Sequence, residues 1–259
     1  MPTTTIPIDH SAGDRVAAFP AGTRPIDTPL PLAQDEIAIL DNPAWYALRG
    51  PHARFAQSIG QAHRYHPDIS VFTGMPTDPD AQAWTDLATL VGPGAQVTLS
   101  GGQVAPPTWE VLYRGNGVQM IDVAVDAAPD DEAVVLGAAD AEELADLVGR
   151  TKPGPWRPRT YELGTYLGIR RDGRLVAVAG ERLHPPGWTE ISAVCTDEAY
   201  RGQGLASRLV RAVAHTIRSR GDKALLHAAG TNTNAIRLYE HLGFEVRRET
   251  IFTVYTSPS

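Results

Sequence analysis

The sequence predicts an α/β (α+β) protein, in which short strands and amphipathic helices alternate around a mixed sheet. Three observations predict this class. Apolar residues recur at helical spacing in the second half, at Leu205, Leu209, Val213 and Ile217. Strand-like runs bounded by turn residues lie on both sides of that helix. With 259 residues and 42% hydrophobic composition, the chain can form one large domain or two of ordinary size.

The first half of the chain gives mixed signals. Residues 1–35 are rich in Pro, Thr and Asp, and we expect them to form an irregular lead-in. The aromatic run 44–48 predicts a strand. A helix is predicted to begin at Asp78 and to stop at Gly92. Further short strands are expected at 96–99, 109–113 and 118–123.

The polar, acidic stretch 126–132 is expected to be the boundary between the halves. We therefore predict domains at 36–130 and 131–259. Asp140-Ala141-Glu142-Glu143 is a capping-box pattern, with Asp in place of Ser or Thr, and predicts the start of a helix. Further helices are expected at about 203–220, closed by Gly221, and at 232–242, ending at Gly243. Strands are expected at 166–170, 174–179, 189–196, 223–229 and 245–255.

Composition restricts the class of protein. Residues 1–130 hold 6 basic and 14 acidic residues, and residues 131–259 hold 17 and 16, so neither half has the basic excess of a nucleic-acid binder. The acidic first half either attracts a cationic substrate or only keeps the protein soluble. The single cysteine excludes an intramolecular disulfide. A first segment without signal-peptide features, and no long apolar run, predict a cytoplasmic protein.

The most informative segment is 194–206, which runs from a predicted strand through a short turn into a predicted helix. Gly202 and Gly204 allow the backbone to approach a ligand, and the first N–H groups of the helix have no partner within it. Such a turn is suited to a pyrophosphate, and Arg201 would add a charge-assisted contact. Gly-x-Gly turns also serve simply to start helices, so the motif alone leaves both interpretations open.

Two motifs together make the chain resemble the GNAT superfamily of N-acetyltransferases. Arg201, Gly204 and Ala206 match the family's cofactor motif, [Arg/Gln]-x-x-Gly-x-[Gly/Ala]. A second family block, Asn-x-x-Ala-x-x-x-Tyr-x-x-x-Gly-Phe, begins at Asn232 and includes Tyr239. The two blocks occur in the family's order, and the resemblance covers about residues 135–257. No P-loop pattern is present, and the turn departs from G-x-G-x-x-G.

The resemblance implies a mixed, mostly antiparallel central sheet flanked by helices for residues 131–259. It also implies acetyl-CoA as co-substrate, no metal, direct attack by an amine in a ternary complex, and possible homodimers. Residues 36–130 would be a degenerate GNAT-like half, with 50–56 as the remnant of a second turn. The strand ending at Thr196 would splay from its neighbour and pair with pantetheine. The residues implied to bind the cofactor are Val194, Cys195, Thr196, Arg201, Gly202, Gln203, Gly204, Leu205, Ala206, Ser207 and Asn232.

Two residues are candidates for proton transfer. Tyr239 stands at the family's tyrosine position and would protonate the departing thiolate, or its ring packs beside Phe244. On a regular strand, Glu190 would share a face with Val194 and Thr196, away from Cys195. Glu190 is therefore a candidate general base, or an exposed or salt-bridged strand carboxylate.

Other reactive side chains carry weaker hypotheses. Cys195 could be an acyl nucleophile, but no His–Asp partnership is evident beside it, and small buried cysteines are common. The two histidines of 63–66 lack companion ligands at a metal-binding spacing. Trp156, Arg159 and Thr160 lie where the family places its acceptor-side loop. The alternative for Trp156 is that it covers the core.

Three functions follow as hypotheses. The first is acetylation of a small amine or amino-acid-like acceptor. The second is acetylation of a protein N-terminus or lysine. The third is a non-catalytic acyl-CoA-binding sensor or partner-binding module, which intact Tyr239 and Glu190 argue against.

Overall fold

A computed structural model of the chain describes residues 32–259. The helices of this part of the chain are α1 (Gln34–Asp41), α2 (Pro43–Arg49), α3 (Ala81–Val91), α4 (Ala141–Thr151), α5 (Leu205–Ser219) and α6 (Thr233–Leu242). The strands are β1 (Ala56–Ile59), β2 (Ala62–Tyr65), β3 (Thr73–Gly74), β4 (Gln96–Leu99), β5 (Glu110–Asp122), β6 (Val134–Leu136), β7 (Tyr166–Arg171), β8 (Arg174–Glu181), β9 (Trp188–Thr196), β10 (Lys223–Ala229) and β11 (Phe244–Thr256). None of these helices is both long enough and apolar enough to span a bilayer.

The strands form two sheets of different size. A small sheet has the order β1-β2-β3, and a large one has the order β4-β11-β5-β10-β9-β8-β7-β6. Within the large sheet only β9 and β10 run parallel, and every other neighbouring pair is antiparallel. The predicted α/β (α+β) class, with a mixed and mostly antiparallel sheet flanked by helices, is therefore confirmed.

The large sheet crosses the predicted boundary at residues 130 and 131. Strand β5, from the first half, lies between β10 and β11, and β4 pairs with the outer side of β11. The pairing of β5 with β11 extends over most of both strands, from Phe244↔Asp122 to Thr256↔Glu110. The sheet of the second half thus includes two strands from the first half, and the division into two domains remains a prediction.

One face of the large sheet is covered by α5 and α6. Leu209, Val213 and Ile217 recur along α5 and are fully buried, as their spacing predicted. They pack with Ile191 of β9 and with Tyr239 of α6 in the main apolar cluster. We call this side of the sheet the apolar face.

The opposite side carries α4 at one end and elements of the first half at the other. Leu144 and Leu147 of α4 pack over β7, β8 and β9. Further along, Leu40 of α1 packs against Leu225 and Trp188, while a separate cluster joins α2 and β2 to the loops beside β8. Buried charges occur between these clusters, so we call this side the polar face.

Most predicted elements of the second half are present within one or two residues of their expected bounds, and the strand at 223–229 matches throughout. In the first half, the strand at 96–99 also matches throughout. The strand predicted at 44–48 is wrong, because Pro43 occupies the first turn of α2 and Ala, Leu and Arg continue that helix. The strands predicted at 109–113 and 118–123 are one strand, since pairing with β11 continues past Gly115 and Gly117. Of the predicted lead-in, residues 1–31 lie outside the described residues.

The capping box predicted at Asp140 is not formed, although α4 begins where it was expected. The Asp140 side chain makes no cap hydrogen bond to the helix. Its carboxylate instead accepts from the Gly137 N–H at 3.0 Å and from Arg170 at 2.6 Å. One Asp140 oxygen thus accepts from the preceding 3₁₀ turn and the other pairs with Arg170 of β7, and neither bonds to the first turn of α4.

Candidate active site

The turn between β9 and α5 has the form that the glycine pattern predicted. Asp197 accepts a hydrogen bond from the Ala199 N–H at 3.0 Å and stabilises a short 3₁₀ turn. Gly202 and Gly204 then adopt left-handed conformations, with φ of 77° and 74°. The first hydrogen bond of α5 runs from the Arg208 N–H to the Gly204 carbonyl at 3.1 Å. The N–H groups of the first helical turn therefore precede that bond and remain available to a ligand.

The surroundings of this turn fit a pyrophosphate. A Cβ placed at Gly202 or Gly204 would meet no atom within 4 Å, so the space in front of the turn is open. Arg201 and Gln203 are exposed, whereas the Leu205 side chain is buried and anchors the helix to the core. Open backbone donors at the positive end of a helix dipole form a site for a phosphate group.

Strands β9 and β10 separate directly beside this turn. Their parallel pairing runs from Trp188↔Lys223 to Ile191↔Leu226 and extends no further. Beyond that point β9 continues against β8, while β10 continues against β5. The splay that the resemblance implied is thus present, and among residues 32–259 no strand pairs with one edge of β9 from Ser192 to Thr196.

A bulge in β9 changes the predicted faces. Ala193 and Val194 lie opposite a single residue of β8, because pairing passes from Gly180↔Ser192 to Val178↔Cys195, and Ala193 has a φ of 54°. As a result Val194 packs on the apolar face, while Ala193 and Cys195 pack with α4 on the opposite side. The expectation that Val194 would share a face with Glu190 is wrong, since it assumed a regular strand.

Cys195 and Thr196 end β9 in different environments. Cys195 is buried in the α4 cluster, and burial raises the pKa of its thiol to about 11. A thiol of that pKa is protonated near neutral pH and is a poor nucleophile. The Thr196 hydroxyl is buried and makes no hydrogen bond in the structure. Unsatisfied buried hydroxyls are uncommon in proteins, and this one lies beside the free edge of β9.

The second family block folds as its sequence predicted. The Asn232 side chain accepts from the Ala235 N–H at 3.1 Å, which confirms its role as the N-cap of α6. Tyr239 lies 8% exposed, with its ring edge-on to Phe244. Burial, together with the nearby Cys195 thiol, raises the pKa of the Tyr239 phenol to about 12. The phenol therefore keeps its proton at neutral pH, which suits a general acid, while the contact with Phe244 suits a packing role.

Glu190 has the geometry of the ion-paired alternative rather than that of a reachable base. Its side chain is fully buried, and both of its oxygens accept hydrogen bonds from the Arg182 guanidinium. Burial alone would raise the pKa of Glu190, but Arg182 and His227 outweigh it and lower the pKa to about 2. The carboxylate therefore stays charged, and its oxygens are occupied by hydrogen bonds to Arg182 and His227.

The sequence did not reveal the group that Glu190 contacts on the next strand. His227 of β10 places its Nδ1 atom 2.8 Å from a Glu190 oxygen. On the other side of the ring, Nε2 lies 3.1 Å from the Gln119 amide nitrogen. Because β9 and β10 are parallel neighbours, a register prediction could have placed Glu190 and His227 on one face. Gln119 could not have been found in this way, because it comes from the first half of the chain.

The predicted acceptor-side loop is attached to the first half of the chain. Thr160 is buried and donates to the Ile69 carbonyl at 2.8 Å, and the Arg159 N–H donates to the Asp68 carbonyl at 2.8 Å. The Arg159 side chain pairs with Glu162 at the surface. Trp156 packs edge-on against the buried Tyr166, and its Nε1 atom is buried without a hydrogen bond. Thr160 thus holds the loop in place, whereas Trp156 keeps a free donor.

The remaining candidates lie apart from the splay. Segment 50–56 follows α2 and leads through a 3₁₀ turn into β1, so it does not repeat the strand–turn–helix form of the β9–α5 turn. His63 contacts Ser58 and Trp45. Across residues 32–259, no three His, Cys, Asp or Glu side chains are grouped to hold a metal ion.

The splayed strands, the glycine turn and the sheet order together define an acyltransferase fold, and comparison with known proteins gives the same class. Residues 166–253 match the family model described as FR47-like protein. A solved structure from Novosphingobium aromaticivorans, described as an acetyltransferase of the GNAT family, is 38% identical with a TM-score of 0.78; the match covers 85% of this chain and 99% of that one. The chain belongs to the GNAT family and is an acetyltransferase.

Two curated relatives illustrate the range of this family. The N-alpha-acetyltransferase RimI of Mycobacterium tuberculosis is 35% identical over 130 residues, which are 45% of this chain and 81% of that protein. A mycothiol acetyltransferase of Thermomonospora curvata is 37% identical over 116 residues, which are 44% of this chain but only 37% of that protein. Both names describe enzymes, which argues against the sensor hypothesis.

Proposed function

We propose that this acetyltransferase takes its acetyl group from acetyl-CoA and transfers it to the primary amine of a small-molecule or amino-acid-like acceptor. The observation that carries the proposal is the open glycine turn beside the point where β9 and β10 separate. The turn offers donors for a pyrophosphate, and the separated strands offer a free edge for an extended arm.

The proposed cofactor contacts follow from which groups are open. Backbone N–H groups from Gly202 to Ser207, including those of Gln203, Leu205 and Ala206, would bind the pyrophosphate, with Arg201 adding charge. The free edge of β9 at Val194, Cys195 and Thr196 would pair with pantetheine through backbone atoms. Asn232, exposed at the start of α6, would contribute beside its capping role.

Direct attack requires a proton donor for the departing thiolate, and Tyr239 is the residue proposed for it. Its phenol is protonated near neutral pH, and it lies close enough to Cys195, on the free edge of β9, for the two to interact electrostatically. The thioester carbonyl would lie against the same edge, where a backbone N–H can polarise it. Glu190, buried behind its ion pair, would act on the reaction only through a neighbouring group.

The first half of the chain favours a small acceptor. Tyr65 of β2 and Phe72 lie over the polar face beside Arg182, with Phe72 4.9 Å from the Arg182 guanidinium. These residues enclose the side of the sheet that carries Glu190 and would limit the size of an acceptor. A second candidate acceptor is a protein N-terminus, because one relative is named an N-alpha-acetyltransferase. In both candidates the attacking group is an amine.

The first test is a calorimetric titration of acetyl-CoA into the wild type and the variants Gly204→Asp and Gly204→Asn. Asp and Asn both tolerate left-handed backbone better than most residues, so the pair separates added charge from added strain. Gly187→Asp is a matched control, because Gly187 has the same φ of 74° and open surroundings at the far end of β9.

We expect the wild type and Gly187→Asp to bind acetyl-CoA. We expect Gly204→Asp to lose binding and Gly204→Asn to show a smaller loss. A folded wild type that does not bind acetyl-CoA would overturn the proposed donor. Equal binding by all four proteins would support acetyl-CoA as the donor but would show that its pyrophosphate does not bind at this turn. A screen of small-molecule amines against peptides with a free N-terminus then distinguishes the two acceptor classes.

A further inference from the structure

The polar face holds a series of buried side chains in contact, which passes the point where β9 and β10 separate. Arg182 binds Glu190, Glu190 contacts His227, and His227 contacts Gln119. Gln119 in turn donates to the Leu40 carbonyl at 2.7 Å and accepts from Arg247 at 2.7 Å. The series therefore crosses the sheet at the place where β9 and β10 part.

His227 occupies the position in this series that is closest to the splay. It is the first residue of β10 after Leu226, the last residue paired with β9. Side chains alternate along a strand, so His227 and Leu225 share the polar face while Leu226 faces the opposite way. Leu226 indeed packs in the main apolar cluster, and Leu225 packs with Leu40. The ring thus stands on the polar face, at the start of the gap proposed for the thioester.

The hydrogen bonds around the His227 ring indicate which of its two nitrogens carries the proton. The Gln119 oxygen accepts from Arg247, so the Gln119 amide nitrogen is the atom that faces His227 Nε2. An amide nitrogen only donates, and Nε2 must therefore accept, which leaves the proton on Nδ1 directed at Glu190. In this arrangement Nδ1 carries a proton, and the lone pair on Nε2 points away from the carboxylate.

We propose that His227 is the general base of the transfer and that Glu190 is the residue that positions it. This inference rests on the proposed function, because it places the acceptor amine at the splay. The amine would replace the Gln119 N–H as the donor to Nε2. As its nitrogen forms the bond to the acetyl carbon, an amine proton passes to Nε2. The C–S bond breaks, and the thiolate takes the Tyr239 proton; solvent then restores both side chains.

The surroundings of the ring support a cation formed in this step. Glu190 lies against Nδ1 and would stabilise the imidazolium, while Arg182 holds that carboxylate in place. Phe252 of β11 packs edge-on to the ring at 5.4 Å between centroids. Gln119 on β5, with Arg247 of β11 behind it, completes the polar contacts. The nearest charge to the ring itself is therefore the Glu190 carboxylate.

The test measures CoA release with L-alaninamide as acceptor, from about pH 5.5 to 9, for the wild type, His227→Gln, His227→Ala and Glu190→Gln. His63→Gln is the matched control, since His63 belongs to the small sheet. Acetyl-CoA affinity is measured separately for each protein. We expect His227→Gln to lose the rising limb of the pH–rate profile and about 10²–10³-fold in kcat, with acetyl-CoA affinity nearly unchanged. Added imidazole should restore part of the rate in His227→Ala, and Glu190→Gln should shift the profile.

Ring ¹⁵N NMR of acetyl-CoA-bound wild type gives a second readout that does not need turnover. We expect the Nδ1–H tautomer, and a shift of the Nε2 resonance when L-alaninamide is added. His227→Gln with an unaltered pH profile, or an Nε2 resonance unmoved by the amine, would overturn the assignment. Wild type that binds no acetyl-CoA would instead contradict the proposed donor, so the two failures are distinguishable.

Discussion

The two faces of the large sheet differ in what they bury. The face under α5 and α6 holds aliphatic side chains packed around Leu209 and Val213. The opposite face holds an ion pair, Arg182–Glu190, in contact with an imidazole and an amide from two other strands. Burying charge costs free energy unless each group is paired, whereas aliphatic burial stabilises directly. The comparison leads us to expect that a buried aliphatic residue and a buried ion-paired residue contribute to stability in different ways.

The proton-transfer groups proposed above divide along the same line. Tyr239 belongs to the cluster of the apolar face, while His227 belongs to the polar face. In the proposed mechanism, the gap between β9 and β10 is where groups from both faces would reach one thioester. An acid and a base on opposite sides of a sheet would be kept from neutralising each other.

Tyr239→Phe gives the largest effect expected on turnover. Removing the phenolic proton donor should lower kcat by about 10²–10⁴-fold and leave acetyl-CoA binding nearly unchanged. Steady-state kinetics beside calorimetry measures both quantities. If the variant turns over like the wild type, Tyr239 has only a packing role against Phe244. That result would contradict the proposal that the acid and the base lie on opposite faces.

Glu190→Ala tests how much stability is lost when the buried ion pair of the polar face is removed. We expect a loss of roughly 3–5 kcal/mol in the free energy of unfolding, because Arg182 would be left buried without its partner. Leu209→Ala on the apolar face should lose a similar amount, about 2–5 kcal/mol, through a cavity. Urea unfolding measures both changes. A loss well below 1 kcal/mol in Glu190→Ala would show that the pair is not desolvated in solution.

Acid stability should separate the two faces more sharply. The pKa of Glu190 is lowered to about 2 in the folded protein, below the 4.5 of an unperturbed glutamate. A depressed carboxyl pKa stabilises the fold above about pH 4.5, and that stabilisation is lost as pH falls towards 2. Leu209→Ala should therefore keep the wild-type acid dependence, and Glu190→Gln should weaken it. Parallel pH curves for Glu190→Gln and wild type would contradict the shift.

Helix caps give the smallest expected effect. Asp80 in the first half accepts from the Ala83 N–H at 2.8 Å and caps α3, as Asn232 caps α6. Substitution of either by Ala should cost about 1 kcal/mol of stability. Thermal unfolding measures the pair, and only Asn232→Ala should also weaken acetyl-CoA binding. Loss of binding in Asp80→Ala as well would show that the effect comes from global destabilisation.

How much the sequence predicted depends on whether a feature is local. The β9–α5 turn and the Asn232 cap involve neighbouring residues, so their glycines, arginine and asparagine were sufficient to predict them. The bulge at Ala193 was not predictable from alternation, because it depends on the register against β8. The pairing of His227 with Glu190 and Gln119 joins residues 37 and 108 positions apart, and only the strand order brings them together.

The insertion of β5 between β10 and β11 has a consequence for how the chain folds. The last strand, β11, finds both of its neighbours, β4 and β5, in the first half. Its end is fixed by contacts such as that of Ser257 with Gly92, 165 residues earlier. Strand pairing between residues so far apart in the sequence forms slowly, because the entropy of closing a long loop is lost before the stabilising contacts form. A fragment starting at residue 131 would leave the edges of β10 and β11 bare, and we expect it to aggregate rather than fold.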